Sequence, residues 1–316
     1  MRIAVTGSNG FVGKSLVNVL VSKHFDVVPL VRFASGSSEK TIQVGDITSK
    51  TNWKPYLNGI DCVIHCAGLA HDINNSKQFN INSYQETNVL GTINLAEQAK
   101  KMGVKKIIYL SSIKVNGDST VLNKPFLIDD LPNPIGIYAS SKWEAEKKLM
   151  QLSDTSDLDV VTIRAPLIYG PGVKANFYNL LRAVYIGMPL PLRSVNNQRS
   201  FVSIDNLISL ILSCINKTSA RGNTFFVSDD FDVSTSFLIE CISKNMSLNS
   251  KSFSFPVNFL KVAGSLIGKR KLIESLVDSL QVDITYTKEV LDWEPEYPFK
   301  DCLNKTVKSF LETQNL

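Results

Sequence analysis

The sequence predicts an α/β fold, a doubly wound parallel sheet followed by a smaller mixed lobe that completes a substrate site. Short apolar runs alternate with helical patterns through the first half of the chain, as in parallel sheets covered by helices. A glycine-rich turn joins the first apolar run to the first helical pattern. After Arg164 the alternation ends, because glycine and proline are frequent between residues 165 and 172 and mixed helix and loop follow.

Each strand of the predicted sheet is a short apolar run of the kind that is buried on both faces. The predicted strands cover residues 3–5, 27–31, 42–47, 62–65, 107–110 and 160–164. Pro29 is unusual in a strand and favours an edge position or an irregular stretch. Residues 82–101 are predicted to form one long helix, and residues 197–207 a strand that enters a helix.

Length, composition and charge predict one globular unit with a large core. The chain has 316 residues, of which 44% are hydrophobic and 20% are charged. We assign residues 1–168 and about 200–228 to a dinucleotide-binding domain, and residues 169–199 and 229–316 to a substrate-binding lobe. The net charge of +5 is spread along the chain, so we expect no nucleic acid partner. The longest apolar stretches are too short to span a bilayer, and we expect no membrane partner.

Cysteine and histidine usage predicts a reduced, metal-free protein. The five cysteines form no paired framework, and Cys62 and Cys66 would lie about 13 Å apart on one strand face, too far for a disulfide. The chain begins with a strand pattern and not with a signal peptide, so we expect a cytoplasmic protein. His24, His65 and His71 show no metal-ligand spacing.

The glycine turn at the start of the chain predicts a nucleotide cofactor. Gly7, Gly10 and Gly13 follow the first strand and open the first helix, which is the context of the Rossmann-like dinucleotide fingerprint. The first permits a tight turn, the second a close approach of the pyrophosphate, and the third close packing of the helix on the sheet. The helix N-terminus supplies free N–H groups for phosphate. The residues assigned to the cofactor in this turn are Gly7, Asn9, Gly10, Phe11, Val12 and Gly13.

The ends of the next strands add further cofactor residues. Arg32 stands at the end of the second strand, where NAD enzymes usually have an acid, and it could pair with a 2′-phosphate. A solvated arginine is the alternative, and the residue favours NADP(H) over NAD(H). Asp46, with Ile47 beside it, could meet the adenine. Ala67 and Gly68 are small residues that would flank the cofactor after the fourth strand.

The candidate catalytic group is a tyrosine with a lysine four residues later. Tyr138 and Lys142 stand in a run of strong helix formers, so both side chains share one helix face. An ammonium nearby favours the phenolate, and a hydroxyl such as that of Ser112 could hold the oxygen whose proton moves. Alone, the pair is weak, since a solvated helix face shows the same spacing. The glycine turn makes an oxidoreductase the better interpretation.

In combination these motifs identify a family resemblance across nearly the whole chain. The chain resembles the extended short-chain dehydrogenases/reductases, the NAD-dependent epimerases and dehydratases that act on nucleotide sugars. The motifs that carry the resemblance are Thr6-Gly7-x-x-Gly10-x-x-Gly13, Asn88-x-x-Gly91-Thr92, Ser111-Ser112, Tyr138-x-x-x-Lys142, Arg164-x-Pro166, Tyr169-Gly170-Pro171-Gly172 and Arg199-Ser200-Phe201-Val202.

The resemblance implies a role for each matching residue. Ser112 and Tyr138 would be catalytic, with Lys142 binding the nicotinamide ribose and lowering the pKa of Tyr138. It also implies a UDP-sugar substrate and a homodimer. The remaining residues that it places on the cofactor are Asn88 and Pro166, and those that it places on the substrate are Lys114, Asn176 and Arg199. For Arg199 an ion pair with Asp205 is the structural alternative.

Departures from the family pattern reduce the number of reactions that fit this sequence. The 4,6-dehydratases carry an acidic pair after the catalytic Ser/Thr, whereas Ile113 and Lys114 follow Ser112 here, which argues against a dehydratase. The loop with Lys114 and Asn116 resembles bacterial enzymes of surface-polysaccharide and lipopolysaccharide sugar synthesis. These are reductases of a UDP-4-keto-6-deoxy-N-acetylhexosamine or UDP-hexose/N-acetylhexosamine 4-epimerases with tightly bound NAD. Because NADPH favours reduction, Arg32 tilts the prediction toward the reductase. A small-carbonyl reductase and a non-catalytic NADP sensor are the remaining alternatives.

Overall fold

The computed structural model of the protein describes residues 1–33, 41–69 and 81–314, so His71 lies outside the described residues. The strands are β1 (Arg2–Thr6), β2 (Asp26–Val31), β3 (Ile42–Gln43), β4 (Cys62–His65), β5 (Lys106–Ser112), β6 (Asp159–Ala165), β7 (Leu167–Tyr169), β8 (Phe201–Ser203) and β9 (Thr224–Phe226). The helices are α1 (Phe11–Ser22), α2 (Lys54–Leu57), α3 (Ile81–Tyr84), α4 (Gly91–Lys101), α5 (Ile137–Asp154), α6 (Ala175–Tyr185), α7 (Ile204–Asn216), α8 (Thr235–Asn245), α9 (Val257–Leu266), α10 (Arg270–Val277), α11 (Thr285–Leu291) and α12 (Phe299–Gln314).

The main sheet confirms the predicted doubly wound architecture. Its strand order is β3-β2-β1-β4-β5-β6-β9, and all neighbouring strands are parallel. The chain moves outward from β1 in one direction through β2 and β3, and in the other through β4 and β5. The carboxyl ends of β1 and β4 therefore meet at the topological switch point, where open α/β sheets bind their ligands. A second, two-stranded parallel sheet pairs β7 with β8.

Apolar residues cover both faces of the main sheet and form a separate core in the C-terminal part of the chain. One face packs on α1 and α7 through residues such as Leu16, Leu20 and Leu207. The C-terminal core gathers around Tyr169 and Phe177, joining residues from α6, α8 and α12. Two cores agree with a nucleotide-binding part and a smaller lobe, and the domain limits given above stay a prediction.

The predicted third strand is wrong beyond Gln43, since β3 is only two residues long. Gly45 has a positive φ of 78°, a left-handed conformation that ends the extended backbone. The short β3 also explains how Pro29 is accommodated. Val44 N–H bonds to Val31 C=O on the outer side of β2, and Pro29 shares that side because strand residues alternate. Pro29 lies one residue before the pairing with β3 begins, so its missing N–H breaks no ladder bond.

The predicted long helix at residues 82–101 forms with one irregularity. A π-helical turn, Gln85–Leu90, separates α3 from α4. Such turns insert an extra residue and re-aim the side chains within them. Here the turn contains Asn88, which is buried and contacts the loop after β4.

Three structural findings concern membrane spans, disulfides and metal sites. No helix in the described part of the chain is long and apolar enough to cross a membrane. The five cysteines are free, including the buried Cys62. Among the residues that the structure describes, no group of three or more His, Cys, Asp or Glu side chains could hold a metal ion.

Candidate active site

The glycine turn forms a tight cradle at the carboxyl end of β1. A Cβ added at Gly13 would lie 2.2 Å from the carbonyl oxygen of Gly7, so only glycine lets α1 pack this close to the turn. Gly7 begins the turn with a positive φ of 67°. The turn is closed by a hydrogen bond of 2.9 Å from Gly10 N–H to Gly7 C=O. Within the described part of the chain, no side chain caps the N-terminus of α1. The first N–H groups of the helix are therefore free for a phosphate, and the residues present fit a dinucleotide.

The loop after β4 closes the cradle on its other side. A Cβ on Gly7 would meet the backbone of Ala67 at 3.0 Å, so this loop packs directly on the glycine turn. Asn88 holds the loop in place, since its amide oxygen accepts from Leu69 N–H at 2.8 Å and its amide nitrogen donates to Leu69 C=O at 3.1 Å. The same nitrogen donates to Ser141 on α5 at 3.0 Å. Asn88 thus ties the predicted cofactor loop to the helix that carries Tyr138 and Lys142.

Lys142 points from α5 into the same region. A Cβ on Gly68 would lie 3.6 Å from the Lys142 ammonium, so the lysine reaches the loop beside the glycine turn. The ammonium donates to Leu110 C=O at 2.9 Å and lies 4.6 Å from the centre of the Tyr109 ring. Burial lowers the pKa of Lys142 to about 8, although Glu146 and Cys66 act to raise it. The group is still mostly protonated at pH 7 and carries a costly buried charge.

Tyr138 and Ser112 meet as predicted. Tyr138 lies in the first turn of α5 and Ser112 at the end of β5, and their side chains are hydrogen-bonded. Burial raises the pKa of Tyr138 to about 12, while the bond from Ser112 acts to lower it and Tyr84 to raise it. The lowering of this pKa by Lys142 stays a prediction, and the ammonium itself contacts the Leu110 carbonyl and the Tyr109 ring. The phenol of Tyr138 is protonated at neutral pH in this arrangement.

A buried histidine that the sequence offered no role for supports the floor of this site. His65 ends β4, and its Nδ1 lies 2.7 Å from the Thr6 hydroxyl, while its Nε2 lies 3.0 Å from the Thr92 hydroxyl. Its ring stacks on Tyr109 at 5.8 Å. Burial, with a smaller effect of Lys142, lowers the pKa of His65 to about 3. A neutral imidazole therefore joins β1, β4 and α4 behind the glycine turn. The positive charge near this imidazole belongs to Lys142.

A buried ion pair that was not predicted from the sequence joins α5 to β6. Arg164 donates to Glu146 through Nη2 at 2.7 Å and through Nε at 3.0 Å, and both residues are at most 5% exposed. Glu146 also accepts from Ser111, the neighbour of Ser112, and Arg164 donates to Asn116 at 2.9 Å. The sequence contains a signal for the position of Glu146, because this residue follows Lys142 by the same four residues that separate Lys142 from Tyr138.

The remaining cofactor candidates lie at the sheet edge and beyond β6. The Arg32 Nε atom lies 3.8 Å from an Asp46 carboxylate oxygen, and both side chains are more than half exposed. The Arg32 guanidinium also lies 5.1 Å from the centre of the Phe33 ring. Ile47 is buried against Gly91 of α4, where a Cβ would meet it at 2.6 Å, so it supports the edge from inside. Pro166 is buried between β6 and β7.

The predicted substrate residues Lys114, Asn176 and Arg199 differ in their contacts and in their burial. Lys114 donates its backbone N–H to the Ser112 hydroxyl at 3.2 Å, and its ammonium pairs with Asp118 at 2.7 Å. Asn176 is half-buried in the first turn of α6. Arg199 donates from Nη1 to the Asp278 carbonyl at 2.8 Å, and burial lowers its pKa to about 10.

The structural alternative for Arg199 is wrong. Asp205 pairs with Lys305 at 2.9 Å and not with Arg199. Among the described residues, no carboxylate lies within ion-pair distance of Arg199.

Comparison with known proteins decides the family. The model of the NAD-dependent epimerase/dehydratase family matches residues 3–227, which is more than half of the chain. The chain belongs to this family. A UDP-glucose 4-epimerase from Vibrio cholerae is 40% identical over 99% of this chain and 96% of its own length. An N-acetyl-alpha-D-glucosaminyl-diphospho-ditrans,octacis-undecaprenol 4-epimerase from Escherichia coli O157:H7 is 25% identical over 87% of this chain and 83% of its own length.

A solved structure has the same fold. The complex of MoeE5 with UDP-glucuronic acid and NAD gives a TM-score of 0.81 at 21% identity, over 99% of this chain and 100% of that one. The predicted family, the doubly wound fold and the enzyme class are confirmed. The matching family is one of NAD-dependent enzymes, so the predicted nicotinamide cofactor is confirmed.

Proposed function

We propose that this family member is a UDP-hexose 4-epimerase that keeps NAD bound between turnovers. The observation that carries the proposal is the 40% identity to a UDP-glucose 4-epimerase over 99% of the chain. Arg32 alone favours a 4-keto reductase in the sequence. In the structure Arg32 already faces the Asp46 carboxylate at 3.8 Å, which weakens the case for a 2′-phosphate there. The reason for preferring the reductase is thereby reduced, and the epimerase becomes the better-supported function.

The residues of the site divide the proposed work at C4 of the sugar between them. NAD, when bound, would supply the hydride acceptor for C4 and, in its oxidised form, a positive charge that favours the phenolate of Tyr138. Tyr138 takes the proton of the C4 hydroxyl and later returns it, and Ser112, already hydrogen-bonded to Tyr138, holds the C4 oxygen. Lys142 adds a second positive charge from the cofactor side.

The substrate diphosphate is assigned to Arg199. The residue is partly buried, and this burial lowers its pKa to about 10. A phosphate would compensate that charge and accept the N–H groups that Asp278 does not use. Asn176, at the start of α6, and Lys114, next to Ser112, are proposed as further substrate contacts. The homodimer and the cytoplasmic location stay predictions.

The reaction can be tested with purified protein and no added cofactor. We expect interconversion of UDP-glucose with UDP-galactose, or of UDP-GlcNAc with UDP-GalNAc. Chromatography of the sugar nucleotides measures this reaction. Heat-denatured protein should release NAD. A thermal-shift series with UDP, dTDP, GDP and ADP is the control, and UDP should stabilise the protein most. Consumption of NADPH with a UDP-4-keto-6-deoxy-N-acetylhexosamine, without any epimerisation, would establish the reductase and contradict the proposal.

The choice of cofactor follows from the Arg32–Asp46 contact. We expect NAD to bind more tightly than NADP, because the Asp46 carboxylate repels a 2′-phosphate and engages Arg32. Asp46→Asn should improve NADP binding relative to NAD by about tenfold, since it removes that repulsion. Arg32→Ala should weaken the binding of NADP more than the binding of NAD. Isothermal titration of protein stripped of cofactor measures both ratios, and tighter NADP binding by the unmodified protein would contradict the expectation.

A further inference from the structure

One face of α9 is apolar and exposed to solvent. Phe259, Val262 and Leu266 are spaced by three and four residues, so they share a helix face, and they are 65%, 59% and 83% exposed. The opposite side of α9 is buried, since Leu260 is only 7% exposed and a Cβ on Gly264 would meet Ile273 of α10 at 2.6 Å. The helix is thus anchored on α10 by one side and presents the other outward.

Neighbouring residues enlarge this surface. Phe255 packs edge-on against Phe259 with ring centres 6.4 Å apart, and Ile267, just after the helix, is 66% exposed. We call the residues Phe255, Phe259, Val262, Leu266 and Ile267 the α9 face. Single exposed apolar side chains are ordinary in monomers, whereas a group of this kind marks a surface that contacts something apolar.

Basic residues border the α9 face. Residues 251–278 contain five basic and two acidic side chains. Both acids are engaged, Glu274 with Arg270 at 2.7 Å and Asp278 with Lys261 at 2.6 Å. Lys269 and Lys271, directly after Ile267-Gly268, are exposed and make no ion pair with any described residue. An apolar face with cations at its rim is complementary to a surface that is apolar inside and negatively charged outside.

We propose that the α9 face docks the protein on the surface of an anionic lipid membrane. The apolar side chains enter the boundary between head groups and acyl chains, and Lys269 and Lys271 meet lipid phosphates. No membrane partner was expected from the sequence, because no apolar segment is long enough to span a bilayer. Docking on the surface needs no spanning segment, and the proposal differs from that expectation only in this respect.

A second copy of the chain is a less suitable occupant. In a two-fold contact the same patch meets itself, so the cluster Lys269-Arg270-Lys271 of each copy would approach that of the other. Like charges brought together in this way oppose association. The anionic surface is therefore favoured by charge, and a second copy becomes an outcome of the test.

The α9 face also connects with the proposed substrate residue Arg199. The Asp278 carboxylate holds Lys261 in the middle of α9, and its carbonyl accepts from Arg199 at 2.8 Å. Docking through α9 would place this end of the substrate lobe next to the bilayer. The docking proposal stands on α9 and its basic rim, and it does not depend on the proposed reaction.

Co-sedimentation with lipid vesicles tests the proposal on the full-length protein. We expect binding to vesicles of equal phosphatidylglycerol and phosphatidylcholine, little binding to phosphatidylcholine alone, and clear weakening at about 0.5 M salt. The double substitution Phe259→Ser with Leu266→Ser should lower the partition constant at least tenfold. Lys269→Glu with Lys271→Glu should lower it at least tenfold as well.

Leu131→Ser is the matched control, because Leu131 is 88% exposed and lies outside the α9 face. It should leave vesicle binding unchanged, and thermal unfolding should show that all variants are folded. Absence of binding to the anionic vesicles would overturn the proposal. So would undiminished binding by the Phe259→Ser, Leu266→Ser variant, or a dimer that this variant converts into a monomer in sedimentation velocity.

Discussion

Replacing Tyr138 by phenylalanine is expected to lower kcat for the UDP-sugar by a factor of about 10² to 10⁴, with the fold and cofactor binding retained. The substitution removes the phenol oxygen, through which Tyr138 would accept and donate the proton, and it leaves the ring in place. That ring packs edge-on against Tyr84, with centres 6.4 Å apart, and phenylalanine keeps this contact. Because the loss lies in the chemical step, KM should change much less than kcat.

Turnover by sugar-nucleotide chromatography and cofactor content by absorbance are the two measurements. Tyr286→Phe is a suitable control, since it removes a hydroxyl that donates to Asn223 at 2.7 Å, on the edge of the sheet near β9. It should leave turnover unchanged. A Tyr138→Phe protein as active as the unmodified enzyme would show that proton transfer uses another group.

Replacing Arg164 by methionine is expected to lower the free energy of unfolding by about 3–5 kcal/mol. The substitution leaves Glu146 as a charge without its partner, and this residue is 3% exposed. It also removes the donor to Asn116. Urea unfolding should show the change as a lower midpoint with a similar slope.

A second substitution separates the loss of a charge pair from a loss of packing. The double variant Glu146→Met with Arg164→Met should be less destabilised than Arg164→Met alone, because it leaves no isolated buried charge. Lys148→Met on the same helix is the control. Its pairing with Glu144 at 3.9 Å is exposed, so the change should be no more than about 1 kcal/mol. Equal effects of the Arg164 and Lys148 substitutions would contradict the assigned role of the buried pair.

The location of this ion pair links stability to the site. Glu146 lies one turn after Lys142 on α5, and it also accepts from Ser111, the residue before Ser112. The carboxylate therefore fixes α5 against β5 at the level where Tyr138 and Ser112 meet. Together with Asn88, which joins α5 to the loop after β4, it makes the position of the catalytic pair depend on buried polar contacts.

The sequence by itself determined the glycine turn, the strand alternation and the pair Tyr138 and Lys142. Each depends on residues close together in the chain, since strands alternate, helices repeat and a turn is local. The spacing of Gly7, Gly10 and Gly13 was enough to predict the cradle that the structure contains. The pairing of Ser112 with Tyr138 was suggested by the chemistry of proton transfer and assigned through the family motifs, because the two residues lie on different elements.

Only the tertiary structure decided which partners the charged and polar side chains have. The sequence could not show that Asp205 pairs with Lys305 and leaves Arg199 to Asp278, because these contacts join residues about 80 to 100 positions apart. Nor could it show that burial raises the pKa of Tyr138 to about 12, since desolvation depends on the whole surrounding fold. The exposure of Phe259, Val262 and Leu266 was likewise decided by the tertiary structure, because the other side of α9 packs on α10.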